Sequence, residues 1–385
     1  MKENISLSVP LNDLARGWLA NSEEIRDILA RVARSGSYIQ SLEHEQFEED
    51  LANFLRAKFA MGVANGTDAL HIALLSLGCT KGSKVVTVAN AGGYTSIAAA
   101  KIGCQLIYCD VDPARLQMSV PALRALLNED IKAVVVTHLF GNVAPVDVIK
   151  ALCDEFGIPV IEDCAQAIGG FVGTKRVGTI GSVSTFSFYP TKNLGGIGDG
   201  GAIVTSDAEL ATKIRSLRQY GWKKKYEIDI PGGLNSRLDE IQAAILRVGL
   251  QKIDELNSKR LKVLSQYVEA FMDLPVKLVS DHSINSTGHL AVMRVPREFG
   301  RDALINTLSK NNIQSAIHYP RLDCDQKGFE ELSFTQPLIP ESKRAVLEII
   351  SIPCFAELTD AEVERVSYVV CEFFSNHSKS RSRGR

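Results

Sequence analysis

Six short apolar segments between residues 84 and 207 constrain the fold of this chain more than any other feature. Helical patterns, for example at 68–77 and 145–156, separate several of them. Strands that are apolar throughout and alternate with helices are typical of a mainly parallel sheet with both faces covered. The sequence therefore predicts an α/β fold with strands at 84–90, 105–112, 133–140, 159–164, 183–188 and 201–207.

A second, smaller unit is predicted after this region. Residues 236–272 form one long helical pattern with many charges, which is suited to a connector between two units. Beyond it lie an apolar segment at 289–296, a helical pattern at 301–311, another apolar segment at 313–319 and a helix near 360–374. This alternation predicts a small α+β domain.

The predicted organisation therefore has three parts. A large domain covers residues 1–255 and begins with a helical arm around residues 25–33. A small C-terminal α+β domain covers 256–376. A flexible basic tail, with four Lys or Arg residues set among serines, covers 377–385.

Charge and cysteine content exclude several classes of function. The 43 basic and 45 acidic residues give a net charge of −2, which offers no electrostatic footprint for nucleic acid or an anionic membrane. The first residues lack an apolar stretch of signal-peptide length, and no segment has the length of a membrane span. The 8 cysteines include no C-x-x-C pair. We expect a cytoplasmic protein with reduced cysteines and no metal site.

Several polar residues lie where an open α/β sheet binds its ligands, outside the carboxyl ends of the strands. Asp163 and Ser187 end two predicted strands, and Lys192 lies in the loop after Ser187. Gly66 and Thr67 precede a helical pattern, and free amides at a helix N-terminus bind phosphate. Each signal is weak alone. Together they suit a cofactor that carries a phosphate, a pyridine nitrogen and an aldehyde, and they predict pyridoxal 5′-phosphate.

The chemistry of this cofactor gives two of these residues specific roles. A carboxylate at the position of Asp163 would keep the pyridine nitrogen protonated, so that the ring accepts electrons from a carbanion. The amine of Lys192 would hold the cofactor as a Schiff base and later move a proton.

Four longer motifs carry a resemblance to a known family. The segments NGTDAL (65–70), IEDCAQAIGG (161–170), FSFYPTKNLGGIGDGGAI (186–203) and GLNSRLDEIQAA (233–244) resemble the DegT/DnrJ/EryC1/StrS family of sugar aminotransferases. The resemblance begins at VPLNDL (9–14) and extends into the small domain. It implies the aspartate-aminotransferase fold, also called fold type I of pyridoxal-phosphate enzymes.

The resemblance assigns four residues to the cofactor ring. It implies that Lys192 is the Schiff-base lysine, that Asp163 pairs with the pyridine nitrogen and that Gln166 faces the phenolic oxygen. Tyr94 is the candidate for the aromatic side chain that family members stack on the ring. The alternative for Tyr94 is simple packing beside a glycine turn.

The resemblance also assigns the phosphate contacts. It implies that Gly66, Thr67 and Ser187 hold the phosphate within one chain. Asn235 would reach the phosphate of the neighbouring subunit. The resemblance therefore implies a homodimer with shared active sites.

Five further residues are candidates for the substrate pocket. A lysine–tyrosine pair before the G-L-N-S-R motif can line the sugar-nucleotide site in the family, which points to Lys225 and Tyr226. The run 223–225 would otherwise be a solvated loop. Tyr189, His318 and Tyr319 are expected to form walls of the same pocket.

Two departures from the family pattern concern the substrate entrance. The segment GSYIQS has Ser41 where the family commonly has glycine, and Gly92 and Gly93 replace bulkier residues before Tyr94. Neither departure touches Lys192.

Other residues invite interpretations that their surroundings do not support. The G-x-G-x-x-G pattern from Gly196 to Gly201 precedes a predicted strand, whereas a dinucleotide site requires a helix there. His71 lies on an apolar helical face and is expected in the core. His138 ends a predicted strand, where packing is at least as good an explanation as a role in the site.

The resemblance implies a transamination in two halves. Glutamate leaves its amino group as pyridoxamine phosphate, which then aminates a keto group of a nucleotide-linked sugar. The motif around Lys192 resembles members that act on 3-keto-6-deoxy sugars linked to dTDP. Amination at C4, a keto-sugar dehydratase, and a non-catalytic regulatory protein of the same fold are the alternatives.

Overall fold

A seven-stranded sheet forms the centre of the large domain. The computed structural model describes residues 8–330 and 338–382. Within these ranges the strands are β1 (Phe59–Val63), β2 (Lys84–Val88), β3 (Gln105–Cys109), β4 (Ile131–Thr137), β5 (Val160–Asp163), β6 (Phe171–Val172), β7 (Lys175–Arg176), β8 (Val183–Ser187), β9 (Gly201–Thr205), β10 (Trp222–Lys224), β11 (Glu227–Ile228), β12 (Lys277–Leu278), β13 (Ala291–Arg294) and β14 (Ile349–Ile352).

The helices surround this sheet and form much of the small domain. They are α1 (Leu14–Ala20), α2 (Ser22–Ser35), α3 (Leu42–Leu55), α4 (Gly66–Ser76), α5 (Tyr94–Ile102), α6 (Val120–Leu126), α7 (Val146–Asp154), α8 (Ala208–Leu217), α9 (Glu240–Ala270), α10 (Arg301–Lys310), α11 (Pro340–Ala345) and α12 (Asp360–Ser382). None of the described helices has the length and apolarity that a membrane span requires.

The large sheet is mainly parallel, as predicted. Its strand order is β1-β9-β8-β5-β4-β2-β3. The pairs from β8 to β3 are parallel, whereas β9 is antiparallel to both of its neighbours. All six predicted strands are present, although each is shorter than its apolar segment. Strand β1 was not predicted, because its sequence FAMGV contains Ala60 and Gly62, which have low strand propensity.

Helices cover both faces of this sheet. Neighbouring residues of one strand point to opposite faces, so Val85 and Val86 enter two different core clusters. Val135 joins the first cluster and Val134 the second. All four side chains are fully buried. The strands are therefore apolar throughout because both faces of the sheet are buried, as the sequence indicated.

The small domain contains a three-stranded antiparallel sheet, β12-β13-β14, packed against α10 and α12. The predicted segment 289–296 contains β13. The segment 313–319 was expected to contribute as well, but it makes only isolated bridges, from Ile313 to Val9 and from Ala316 to Ser351. Its path ends at Tyr319, whose φ of 66° breaks an extended conformation. Strand β14, and not this segment, pairs with β13 in the sheet of the small domain.

Helix α9 passes from one domain into the other without a break. Ile253 packs in a cluster of the large domain, and Val263 packs in the cluster of the small domain. We propose that the division near residue 255 lies in this interval. At the other end of the small domain, α12 remains helical through Ser382, which includes most of the segment expected as a tail; residues 383–385 lie outside the described ranges.

The N-terminal arm connects both domains. Helix α2 packs on α9, and Gly36, at φ 67°, ends it. From α1, Arg16 donates hydrogen bonds to both carboxylate oxygens of Glu362 in α12, each at 2.8 Å. The Arg16 guanidinium holds the pKa of Glu362 at about 2.

We expect Glu362→Gln to lower the free energy of unfolding by about 1–3 kcal/mol at neutral pH, because glutamine keeps the shape but not the charge. A carboxyl whose pKa is lowered by folding stabilises the protein above its ordinary pKa of 4.5. That contribution is lost as the pH falls from there towards 2. Thermal unfolding between pH 3 and 7 measures it.

The exposed Glu364 on the same helix supplies the control, since Glu364→Gln changes the same charge without an Arg16 partner. A difference between wild type and Glu362→Gln that stayed constant across the pH range would contradict this assignment of the ion pair.

Candidate active site

The carboxyl ends of three neighbouring parallel strands bring the predicted polar residues together. Asp163 ends β5 and Ser187 ends β8, and these strands pair with Asp163 opposite Thr185. Thr137 ends β4 and pairs with Asp163 on its other side. The loop after β8 carries Lys192. The predicted site residues therefore lie together at the carboxyl edge of the sheet.

Asp163 is buried with few partners for its charge. It is only 5% exposed, and its carboxylate accepts hydrogen bonds from the amide of Ala165 at 3.2 Å and the hydroxyl of Thr137 at 3.3 Å. Burial raises the pKa of Asp163, and the Ala165 amide and the Lys192 charge oppose this change. A buried carboxylate with neutral donors is stabilised by a cationic N–H, which is what a protonated pyridine nitrogen supplies.

Lys192 has an environment that makes its ammonium group easier to deprotonate. Burial lowers the pKa of Lys192, and the charge of Asp163 opposes that effect. No hydrogen bond or ion pair holds its Nζ among the residues that the structure describes. A lysine that loses its proton more readily is a better nucleophile towards an aldehyde.

The start of α4 could hold a phosphate group. The side chain of Asn65 caps this helix by accepting the amide of Asp68 at 2.8 Å, so the capping bond leaves the amides of Gly66 and Thr67 unused. A Cβ atom on Gly66 would lie 2.7 Å from Cβ of Ser187. Glycine therefore allows the helix start to approach the end of β8, and the two helix amides and the Ser187 hydroxyl form one seat.

Three aromatic and amide side chains form another wall of the site. Tyr94 begins α5 and its side chain is 46% exposed. Its ring meets the ring of Tyr319 edge to face, with 6.3 Å between centroids. Gln166 Nε2 donates a hydrogen bond to the Tyr319 hydroxyl at 2.8 Å. Tyr94, Gln166 and Tyr319 are thus neighbours. They were predicted to stack on the cofactor ring, to face its phenolic oxygen and to form a pocket wall, respectively.

A buried hydrogen-bond network behind the lysine was not predicted. Asn193 donates to the side chain of Asn257 in α9 and to the carbonyl of Thr287. Its oxygen lies 2.8 Å from Nδ1 of His289, which must be the donor because an amide oxygen can only accept. Burial and the charge of Lys192 lower the pKa of His289 well below its ordinary value, which disfavours a charged ring. The sequence carried no signal for these contacts, which join residues far apart in the chain.

His138 makes buried hydrogen bonds that are typical of a residue with a structural role. Its Nδ1 accepts the amide of Ala144 at 3.0 Å, and its Nε2 lies 3.2 Å from the carboxylate of Glu162. Although burial opposes it, the hydrogen bond from His138 and backbone amides lower the pKa of Glu162. With Cys164 these side chains could together surround a metal ion, but the histidine and carboxylate lone pairs are used by these hydrogen bonds. His71 is also buried, beside the carbonyl of Ala98.

Three predicted contacts do not join this cluster within one chain. Lys225 and Tyr226 lie in the β10–β11 hairpin, where Tyr226 is 77% exposed and Lys225 stacks on its ring at 5.2 Å. Asn235 is exposed, and its backbone pairs with Gln219. Tyr189, which is 52% exposed, borders the site through its amide, 3.4 Å from the Ser187 hydroxyl.

Comparison with known proteins identifies the family. The model of the DegT/DnrJ/EryC1/StrS aminotransferase family matches residues 20–370. The chain belongs to this family. It is 37% identical over 362 residues to the dTDP-3-amino-3,6-dideoxy-alpha-D-galactopyranose transaminase of Aneurinibacillus thermoaerophilus, covering 93% of this chain and 97% of the relative.

Two further similarities extend over nearly the whole chain. A protein of Geobacillus stearothermophilus named pleiotropic regulatory protein is 36% identical, over 96% of this chain and 99% of its own. The crystal structure of S. venezuelae DesV superimposes with a TM-score of 0.90 at 32% identity, and covers 95% of this chain and 98% of its own. The aspartate-aminotransferase fold and the pyridoxal-phosphate cofactor are confirmed, and the protein is a sugar aminotransferase.

Asp163→Asn and Glu162→Gln form a matched pair of variants, because both residues are buried neighbours in β5. We expect Asp163→Asn to slow the reaction of the cofactor with L-glutamate by about 10²-fold or more, with little change in melting temperature, because a neutral amide cannot stabilise the charged pyridine nitrogen. Glu162→Gln should lower the melting temperature and retain that reaction. Stopped-flow absorbance and thermal unfolding measure the two effects; equal rates for wild type and Asp163→Asn would remove Asp163 from this role.

Proposed function

We propose that the enzyme transfers an amino group from L-glutamate to the keto group of a dTDP-linked 3-keto-6-deoxy sugar. The observation that carries the proposal is the cluster of Lys192, Asp163 and the Gly66–Ser187 seat at one sheet edge. These residues match the three functional parts of the cofactor. The choice of C3 is supported by the relative from A. thermoaerophilus, which is named as a transaminase for a 3-amino sugar.

The proposed roles follow from the positions of the side chains. The bound cofactor supplies the electron sink for removing a proton from the donor amino acid. Lys192 Nζ carries that proton, since it is the amine with a lowered pKa in the site. Asp163 provides the negative charge, and the Gly66, Thr67 and Ser187 donors orient the phosphate end. Tyr319 and His318, whose rings contact each other, form the small-domain wall of the proposed pocket.

His318 suits a wall that binds neutral sugar hydroxyls. Its Nδ1 forms a hydrogen bond of 2.8 Å with the hydroxyl of Ser351 in β14. Burial lowers the pKa of His318, as does the charge of Lys192. A neutral imidazole at this place can donate or accept a hydrogen bond without adding a second positive charge beside the lysine.

The regulatory alternative rests on the name of the relative from G. stearothermophilus. Such a protein would not need a lysine with a lowered pKa beside a buried carboxylate. Lys192 also argues against a dehydratase, in which a histidine replaces the Schiff-base lysine. A visible absorbance band of the purified protein that disappears when L-glutamate is added would favour an enzyme over the regulatory alternative.

A panel of nucleotide sugars tests the substrate. We expect turnover with L-glutamate and a dTDP-linked 3-keto-6-deoxy sugar, and turnover lower by about tenfold or more with the 4-keto isomer, because the carbonyl must meet the same fixed proton carrier. Mass spectrometry and NMR of the product give the position of the new amino group. Preferential amination at C4 would replace the C3 proposal and leave the sugar aminotransferase assignment intact.

We also propose that the active unit is a homodimer with shared sites. Gly66, Thr67 and Ser187 provide only part of the hydrogen bonds that a dianionic phosphate accepts. Asn235 is exposed, as is Tyr226 at the hairpin, so both are available to a second copy of the chain. Exposed apolar side chains lie near the N-terminal arm and the hairpin: Tyr38, Ile39, Leu42 and Ile228. A symmetric dimer would cover this apolar surface.

Mixing two defective variants tests the shared sites. Lys192→Ala removes the proton carrier, and Asn235→Ala should weaken cofactor binding. In a mixed dimer one site has both defects and the other has neither. We therefore expect a one-to-one mixture, assayed at limiting cofactor, to recover up to about a quarter of wild-type activity after subunit exchange. Activity equal to the mean of the two separate variants would contradict shared sites.

A further inference from the structure

Tyr319 has an unusual backbone conformation and makes contacts beyond those of a simple pocket wall. Its backbone has a φ of 66°, a conformation that bulky residues adopt rarely and only when their surroundings hold them there. Its ring contacts Tyr94, and its hydroxyl accepts a hydrogen bond from Gln166. The side chain therefore extends from the small domain to residues that the large domain contributes to the cofactor site.

The hydrogen bonds of Gln166 fix which way its amide points. Its Oε1 accepts the backbone amide of Phe140 at 2.6 Å, so its Nε2 faces the opposite side and donates to Tyr319. The amide nitrogen carries two protons, and this contact uses one of them. The second proton is available for an acceptor such as the phenolic oxygen of the cofactor. Without the Tyr319 hydroxyl, the amide loses one of the two anchors that hold it.

Gly92 supplies the space for the Tyr319 ring. A Cβ atom built on Gly92 would lie 2.2 Å from Cε1 and 2.4 Å from Cδ1 of Tyr319. Both distances are far below van der Waals contact, so any other residue at this position would displace the ring. Gly92, which departs from the family pattern, thus leaves the room that the Tyr319 ring needs.

Hydrogen bonds connect the segment that carries Gly92 with the segment that carries Tyr319. After Tyr319, the backbone amide of Asp323 donates to the carbonyl of Ala89 at 2.8 Å. The carboxylate of Asp323 accepts the hydroxyl of Ser96 at 2.6 Å. Ala89 and Ser96 flank the turn that contains Gly92. Tyr319 cannot easily move away from a side chain at position 92 without breaking these contacts.

We propose that Gly92 and Tyr319 form a size-matched pair that makes Tyr319 a positioning residue for Gln166. The pair holds the free N–H of Gln166 towards the cofactor and connects the position of the small domain to cofactor binding. This inference rests on the proposed role of Gln166 at the phenolic oxygen. It is independent of which sugar the enzyme accepts.

Two glycines in sequence provide a matched control. Gly92 and Gly93 have φ values of 81° and 84°, so alanine carries about the same backbone strain at either position. A Cβ on Gly93 would meet the ring of Phe329 at 3.4 Å and Oδ1 of Asp323 at 4.0 Å, which are both ordinary contact distances. Gly92→Ala and Gly93→Ala therefore differ chiefly in the displacement of Tyr319. Tyr319→Phe removes the hydroxyl and retains the ring.

The first measurement is the dissociation constant of pyridoxal phosphate for the cofactor-free full-length protein, from fluorescence titration, with the melting temperature recorded for each variant. We expect Tyr319→Phe and Gly92→Ala to weaken cofactor binding about fivefold or more, because one hydrogen bond to a buried amide is lost. Gly93→Ala should change it less than about twofold. Wild-type affinity in Tyr319→Phe, or equal effects of the two alanine variants, would overturn the proposal.

A double variant separates positioning from general destabilisation. In a Tyr319→Ala background the ring is gone, so Gly92→Ala should add no more than Gly93→Ala adds to wild type. Full additivity of Gly92→Ala and Tyr319→Ala would overturn the pair. Because these titrations use no sugar, an absence of turnover with every keto sugar would contradict the proposed function and leave this inference standing.

Discussion

Asp163 is a carboxylate that the fold buries at the end of β5, with two neutral hydrogen-bond donors and the nearby charge of Lys192. A buried charge of this kind is costly unless a cation balances it. The strand order brings β4, β5 and β8 side by side, so that their ends concentrate polar groups at one edge. The cofactor site depends on this arrangement, because the same edge also receives the helix start at Gly66.

The small domain contributes residues that lie beside the predicted site residues of the large domain. Tyr319 and His318 lie on the segment between α10 and α11, and His289 lies just before β13. Two of them reach residues of the large domain: Tyr319 contacts Gln166, and His289 contacts Asn193, the residue after Lys192. Helix α9 runs without a break between the domains and fixes Asn193 through Asn257. The lysine loop is thus held by contacts from both domains.

Prediction from sequence worked best where a local pattern decides the structure. The six apolar segments became strands because burial on both faces requires apolar residues throughout, and 236–272 became α9 because its pattern is long and helical. Prediction failed at β1, because small residues give this segment a weak strand pattern. Pairing with β9 stabilises the strand in the tertiary structure. Prediction also failed at 313–319, where an apolar segment gives way to the left-handed conformation of Tyr319.

The sequence by itself determined the residue types of the site and their places at strand and helix ends. Lys192, Asp163, Ser187 and Gly66 could be placed at or just beyond such ends because local pattern and motif spacing locate them. Only the tertiary structure decided that Gln166 meets Tyr319 and that Gly92 leaves space for its ring. Those contacts join residues about 150 to 230 positions apart, and no local pattern encodes which distant side chains will share a volume.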